Sequence, residues 1–499
     1  MKKKYRKRKL PKYFFIISLA LFLFVGIGYS VINSNLSMQG NVVRKATSWS
    51  IGFSNPVFDT GSKTTPIPTI TNGTTMTMNV NLTSPGEKYA FTVDLTNNGS
   101  VPALINTLNI TELTEEQKVY LRWKVEYEDE SPLEVGDLLK AGETKKVHIY
   151  LEYKKLRATD LYPTSNVNLN LTVQANFYLP EETFNTVTIT KNGSTKLVQV
   201  SNLIQEATLD DFPIESADQV IACNNGVEPS TDTNNKIVLS NVKQNATCRI
   251  ESSLANAVTN SGTETSNLAI LQNATTDTIT TVSTTQNISI DLNGKQYIIN
   301  QATISDYSIL NDGVLTINGK KTNSILKSMG QWLLYNGNTG NLTINGGTYI
   351  KDCTSSTGAT IAGGGIIDIR NSLVNTHGTL VVYTRAPSSL FNINNSIIES
   401  SDGQAVANWS ANSIINIRKS TINAKNNGIS ASMASINQPI TTYFCDSQIN
   451  IAGSGTDFNT LTPYSKVFYY NSIFLNGTNI PTLPATNINV IQSDIACAE

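Results

Sequence analysis

One short pattern recurs nine times between Leu292 and the C-terminus: apolar, any, apolar, any, Gly/Asn/Asp, often Ser, any, apolar. With the second apolar residue as anchor, the series runs Leu292, Ile317, Ile344, Ile369, Ile393, Ile417, Phe444, Tyr469, Val490, at spacings of 25, 27, 25, 24, 24, 27, 25 and 21. A period of roughly 20 to 50 residues marks a solenoid or array, whose units bury their apolar faces only against one another. Apolar residues also stand two positions before most anchors and five after most of them, from Ile290 and Tyr297 to Ile488 and Ile495. Alternation at minus two and zero is that of a strand with one buried face, and the unit has no helix-period stretch. Each coil is therefore expected to consist of short strands.

Two residues past the anchor stand Gly294, Gly319, Gly346, Asn371, Asn395, Lys419, Asp446, Asn471 and Gln492. Seven of these nine are Gly, Asn or Asp, the types that enter the left-handed region cheaply, so a sharp corner is expected there. At plus three the last six coils carry Ser372, Ser396, Ser420, Ser447, Ser472 and Ser493, which predicts a hydroxyl column. A serine nucleophile in that column would lack a matching base. A second strand per coil is signalled by Gly followed by an apolar run at Gly330 to Tyr335, Gly378 to Tyr383, Gly403 to Trp409 and Gly428 to Met433. Nine coils stacked at about 4.8 Å give a rod roughly 40 Å long. The segment 266–275, with Leu268, Ile270, Leu271 and Ala274, reads as an amphipathic cap before a first strand at Thr278 to Val282. No such cap follows Ile495, so the last coil is expected to be an edge able to pair with another subunit.

The pattern over residues 264–499 resembles the right-handed parallel β-helix of the pectate-lyase-like and adhesin superfamily. That resemblance implies either a polysaccharide lyase or glycoside hydrolase, or a non-catalytic surface protein. The charged candidates on the rod are Asp368, Arg370, Glu399, Asp402, Arg418, Asp446 and Asp457. Asp368 is on the outward phase, where neighbouring coils carry Thr316, Thr343, Asn392 and Asn416, so no second carboxylate stacks on it for acid/base work. NTHG at 375–378 is at best a fragment of a polygalacturonase-like motif, and Asp210 and Asp211 adjoin outside the rod. Trp332, Tyr335, Tyr383 and Trp409 fall near one strand of the central coils. They either pack the coil edge or stack on sugar rings, which makes them the candidate ligand-binding residues.

At the N-terminus eight basic residues between Lys2 and Lys12 precede twenty uncharged ones, Tyr13 to Ile32. This is a membrane-targeting helix (residues 1–32) with a cytoplasmic N-terminus, either cleaved after a weak Gly28/Ser30 site or retained as an anchor. Everything after it is expected outside the cell. Setting those eight aside leaves 29 of the 37 basic residues against 38 acidic ones, which argues against a nucleic-acid partner.

Residues 46–178 alternate strand-like runs with turns: Trp49 to Phe53, Thr75 to Leu82, Tyr89 to Leu95, Val119 to Tyr127, Lys145 to Tyr153 and Val167 to Phe177. Their spacing predicts an antiparallel β-sandwich. The stretches SWSIGF, LTSPGEKYAFTVDLTNNGSVPALI and AGETKKVHIYLEY resemble the camelysin and biofilm-matrix-fibre family of Gram-positive bacteria, which implies a secreted sandwich able to assemble on the cell surface. The two histidines of the chain, His148 and His377, form no HExxH motif, and His148 sits in an alternating strand where a structural role is expected.

Residues 183–254 read as a small β module with Cys223 and Cys248 beside polar turns, similar to small disulfide-containing modules of bacterial surface proteins. An extracytoplasmic address permits a bridge there. Cys353, Cys445 and Cys497 occupy different phases of the coil and are expected to be buried thiols. No cysteine spacing suggests zinc, and neither metal nor other cofactor is expected. The expectation is thus an all-β chain with a leader or anchor, a sandwich, a stapled module and a β-helix of about nine coils. Functionally it reads as a non-catalytic adhesin or matrix scaffold, membrane-anchored or secreted, whose partners are glycans, matrix proteins, or its own copies through the last coil.

Overall fold

A computed structural model describes residues 50–492 except 155–162, 164–166, 180, 211, 301–306, 354–357, 432–437, 453–457, 461–463 and 475–489. The membrane-targeting stretch, Ser493 and Cys497 lie outside the described residues. No helix among those described is long and apolar enough to cross a membrane.

The repeat folds as a parallel β-solenoid. Each full coil gives one strand to each of three sheets, such as Asn341–Gly346, Thr348–Lys351 and Ala359–Gly363. Ile317, Ile344, Ile369, Ile393, Ile417 and Phe444 are paired in register from coil to coil. All six are at most 1% exposed, so they form one apolar column inside the rod. The parallel column Leu315, Leu342, Ile367, Phe391, Ile415 is interrupted by a polar residue, Thr442, whose hydroxyl accepts from Asn408 Nδ2 at 3.1 Å, and resumes at the buried Val467.

The expected corner is present at Gly346, Asn371, Asn395, Lys419, Asp446 and Asn471, with φ of 76°, 52°, 48°, 46°, 46° and 43°. The hydroxyl column closes it. Ser372, Ser396, Ser420 and Ser447 each donate the backbone N–H to the next coil's Ser Oγ, at 3.2, 3.1, 3.0 and 3.4 Å. Each hydroxyl in turn donates to the carbonyl two residues back, as from Ser396 to Asn394 at 2.8 Å, so buried donors and acceptors are matched. All four Gly-led runs carry the expected strand, at Trp332–Asn336, Leu380–Thr384, Gln404–Asn408 and Ile429–Ala431.

Three details depart from the sequence reading. In the first coil Ile290, not Leu292, pairs with Ile317, and Leu326, not Thr322, fills the inward position opposite Tyr297 and Tyr349. The corner after Ile317 is longer than its neighbours and turns through Asn323 (φ 65°). Gly319 is needed there for close approach: a Cβ on it would lie 2.6 Å from the Gly347 Cα. Finally, the segment expected to cap the rod is itself a strand, Thr265–Ile270, paired with Asn287–Asp291. The helix Leu254–Asn260 does the capping. It is started by Ser253 Oγ accepting from Asn256 N at 3.1 Å, and Leu254, Ala257 and Val258 enter the rod core.

The first solenoid sheet extends beyond the rod. Its 14 strands comprise ten rod strands and four from the preceding segment: Phe184–Lys191, Ser194–Ser201, Val220–Asn224 and Ala246–Glu251. Val220–Asn224 joins the two parts by pairing antiparallel with Thr265–Ile270. Cys223 and Cys248 are direct cross-strand partners with Cα atoms 4.1 Å apart, and they are disulfide-bonded. Cys445 is also disulfide-bonded, which overturns the expectation of a buried thiol there, while Cys353 is free and half-buried.

Toward the N-terminus two antiparallel sheets of four and five strands share one core, with Met76, Met78, Leu171 and Val173 from one and Phe91, Val93, Val147 and Ile149 from the other. Alternation dictates these strands, as Thr75–Leu82 shows with Met76, Met78, Val80 and Leu82 all inward. The run expected at Val119 to Tyr127 begins as a helix, Glu115–Tyr120, held by a capping box of Thr114 and Gln117, and becomes a strand only at Leu121. Strands at Thr69–Thr71, Ala103–Ile110 and Leu138–Leu139 carry no clear signal in the sequence.

Candidate functional site

The four aromatics singled out from the sequence converge on the third sheet. Tyr335, Ala362, Tyr383, Ala407 and Ser430 are register partners, so small residues alternate with large ones and leave room for the rings. Trp332 stacks with Tyr383 at 6.3 Å between centroids, and Tyr383 meets Trp409 edge-on at 5.4 Å. Two neighbours complete the patch. Tyr307 lies 4.3 Å from Tyr335, and the Arg385 guanidinium lies over Trp332 at 4.9 Å and over Tyr335 at 6.0 Å. Trp332 is buried under this cover, whereas Tyr335, Tyr383 and Trp409 are half-buried. Trp409 is further fixed by Nε1 donating to Ser430 Oγ at 2.9 Å. Burial, and then the neighbouring Tyr307, push the Tyr335 hydroxyl above its usual pKa.

A second concavity lies where the antiparallel unit faces the outer side of the first sheet. It has a volume of about 810 Å³. Arg122, Lys124, His148 and Tyr150 line one wall, and Asp368, Arg370, Asn392, Asn416 and Arg418 line the other. The antiparallel unit is tied to the rod by Lys320 Nζ donating to the Asp129 carbonyl at 3.0 Å, and to the stapled segment by Lys243 Nζ to Asp137 at 2.8 Å and Gln205 Nε2 donating to the Gly136 carbonyl at 3.1 Å. His148 is held by Asp59, Nε2 to Oδ2 at 2.9 Å. Asp368 has no carboxylate above or below it, in line with the sequence reading. It accepts from Asn392 Nδ2 at 2.6 Å and from Arg370 at 3.4 Å.

The remaining carboxylates of the rod are dispersed. Glu399 accepts from Asn375 Nδ2 at 3.3 Å on the second sheet, Asp402 pairs with Lys425 at 3.5 Å in a loop, and Asp446 accepts from Asn471 at 2.7 Å at the corner. Asp210 pairs with Lys236 at 2.5 Å, and Asp211 and Asp457 lie outside the described residues. Sequence reasoning missed one further cluster. Asp352 binds Lys327 and His377, each at 2.5 Å, and these two partners hold its carboxyl below the usual range. Next to it Lys351 is fully buried, in register between Ser328 and Thr376, with Nζ donating to the Cys353 carbonyl at 3.1 Å. Only the polar Ser328 and Thr376 at the equivalent inward positions could have signalled it.

Among the described residues no group of three or more His, Cys, Asp and Glu is placed to hold a metal ion. No family model, no curated protein and no solved structure matches this chain.

Proposed function

We propose that the chain is a non-catalytic surface or matrix protein of a Gram-positive bacterium, an adhesin or scaffold that displays a right-handed, pectate-lyase-like β-helix outside the cell. The observation that carries this reading is the unbroken 14-stranded sheet, which makes the stapled segment and the rod one continuous body. A sheet whose every coil hydrogen-bonds the next suits a spacer that must hold its shape. The interlocked hydroxyl column uses polar side chains for stiffness rather than for a reactive constellation. On this reading the third-sheet aromatics are the ligand-binding residues, with Tyr383 and Trp409 offering ring surface to a glycan and Trp332 and Tyr335 supporting them. The disulfide and the β-rich body accord with an extracytoplasmic address, reached through residues 13–32.

The test is to assay the full chain, purified in mild detergent, against a panel of glycans and matrix proteins. Binding or self-association without product formation is expected. Tyr383→Ala and Trp409→Ala are expected to lose glycan retention with unchanged melting; unchanged retention would remove the aromatic site. Release of reducing ends or unsaturated products from acidic glycans would overturn the scaffold in favour of a polysaccharide lyase or glycoside hydrolase.

A further inference from the structure

We propose that the outer side of the first sheet, where it forms the cleft wall, is a groove for an uncharged linear polysaccharide laid along the rod axis. This rests on reading the rod as a glycan-displaying or glycan-binding surface, but it uses a different face from the aromatic patch. Six side chains stand in register on successive coils: Thr343, Asp368, Asn392, Asn416, Tyr443 and Phe468. Asn416 Nδ2 donates to Asn392 Oδ1 at 2.7 Å, and Asn392 Nδ2 donates to Asp368 Oδ1 at 2.6 Å. These bonds fix the plane of each group as the protein folds, so little ordering cost is left for binding. Planar amide and carboxylate groups are the side chains best shaped to bridge two adjacent ring hydroxyls.

The column then changes character. Tyr443 and Phe468, both half-buried, stack with 14° between their planes and 5.2 Å between centroids. Directly beyond the amides lies a strip of aromatic surface that suits the C–H face of a pyranose. Neighbouring coils repeat at about 4.8 Å, close to the length of one hexose in an extended chain, so successive sugars would meet successive coils. The sequence shows the same column as Thr, Asp, Asn, Asn, Tyr, Phe one residue before each anchor, but only the structure brings Asp368, Asn392 and Asn416 to the cleft wall, with Tyr443 and Phe468 continuing the column on the coils beyond it.

Charge decides the class of glycan. Four permanent cations line the cleft, Arg122, Lys124, Arg370 and Arg418, against five carboxylates on the same walls. Such a lining exerts no net pull on a polyanion. The volume of about 810 Å³ is within the usual ligand-site range of roughly 300 to 1,000 Å³ and suits a short run of sugar rings.

The experiment is affinity electrophoresis of the full chain through gels containing hydroxyethylcellulose, mixed-linkage β-glucan or galactomannan, with polygalacturonate as the polyanion. Retardation is expected in at least one uncharged gel and not in polygalacturonate. Tyr443→Ala and Phe468→Ala should each weaken it about tenfold, as the loss of a ring contact implies. Asn416→Ala should weaken it as well, and unchanged melting will show that each variant is folded. Retardation only by polygalacturonate, or full retention by all three variants, overturns the groove. If Tyr383→Ala and Trp409→Ala abolish retardation while Tyr443→Ala and Phe468→Ala do not, the groove falls and the display reading stands. If the parent chain neither binds any gel nor self-associates, both fall.

Discussion

The rod and the paired-sheet unit before it are both built of strands, yet their strands find partners over very different distances. In the rod Ile344 pairs with Ile369 and Ile393 with Ile417, 25 and 24 residues on, and the same arrangement repeats coil after coil. In the antiparallel unit Met78 pairs with Leu171 and Tyr89 with Leu151, 93 and 62 residues apart, and each contact is individually fitted. Phe91, for instance, packs on Phe58 at 5.3 Å and on Tyr89 at 5.5 Å. The difference teaches that the rod is a sum of nearest-neighbour interfaces, whereas the antiparallel unit stands or falls as a whole.

The strongest way to break that comparison is to cut one large side chain from each core. Phe91→Ala should cost about 3 to 5 kcal/mol and lower the denaturation midpoint of the antiparallel unit as one transition. Ile393→Ala should cost about 2 to 5 kcal/mol, but its effect should stay local. Hydrogen exchange should speed up in strands Ile366–Arg370, Leu390–Asn394 and Ile414–Arg418 and remain slow in coils farther away. Uniformly faster exchange along the whole rod would refute the nearest-neighbour account.

The same contrast explains what is legible in the sequence. Coils repeat, so nine weak signals add up to one strong one, and residue types and spacing alone disclose the Ile column, the left-handed corner and the Ser ladder. Even Lys419, a poor left-handed residue, turns at φ 46° because the stack imposes it. The N-terminal end of the rod misleads for the same reason. The first coil has few neighbours to define its register, and a strand of type Ser266, Leu268, Ile270 looks like a cap when its partner lies in another segment. The antiparallel unit shows its strands by alternation but not its pairing, and the helix at Glu115 hides behind an apolar run. The cleft is invisible in the sequence. It joins Arg122 to Asp368, and nothing local in the chain states that they face each other.

Lys351 sharpens the comparison from the other side, because a buried amine in the row it shares with Ser328 and Thr376 should be a removable fault. Burial pushes its amine below the usual pKa. A base with a lowered folded pKa costs stability when protonated, so stability should rise as pH climbs through the window from the lowered value to 10.5. Lys351→Met should abolish that rise and stabilise the coil by about 1 to 2 kcal/mol at neutral pH. Denaturant titrations at pH 7 and pH 10 check both. A destabilised Lys351→Met would mean that the amine holds the loop through Cys353 more strongly than burial opposes it.

Ser396→Ala tests the ladder itself. The substitution removes a hydroxyl that accepts from Ser372 N at 3.2 Å, in a contact buried within the rod. Leaving that N–H without its partner should cost about 1 kcal/mol and expose the Ser372 amide to faster exchange, with no effect on the antiparallel unit.

The smallest effect is expected at Glu87, in the antiparallel unit, where a turn is held by charge instead of by stacking. Its carboxylate accepts from the Thr83 backbone N–H at 2.7 Å and hydroxyl at 2.8 Å, and pairs with Lys63 at 2.9 Å. Burial alone would raise its pKa, but the Thr83 N–H, Lys63 and the hydroxyl outweigh it and lower the value from 4.5 to about 2. A carboxyl with a depressed folded pKa stabilises above its unfolded value and loses that contribution as pH falls toward the folded one. The contribution should therefore be full above pH 4.5 and vanish near pH 2. Solvent screening keeps it small, because the pair is partly exposed. Glu87→Gln should flatten the acid branch of the melting curve for the antiparallel unit between those limits and leave the rod's melting untouched. A shift of both transitions together would mean that the two regions unfold as one, and the contrast drawn between them would fail.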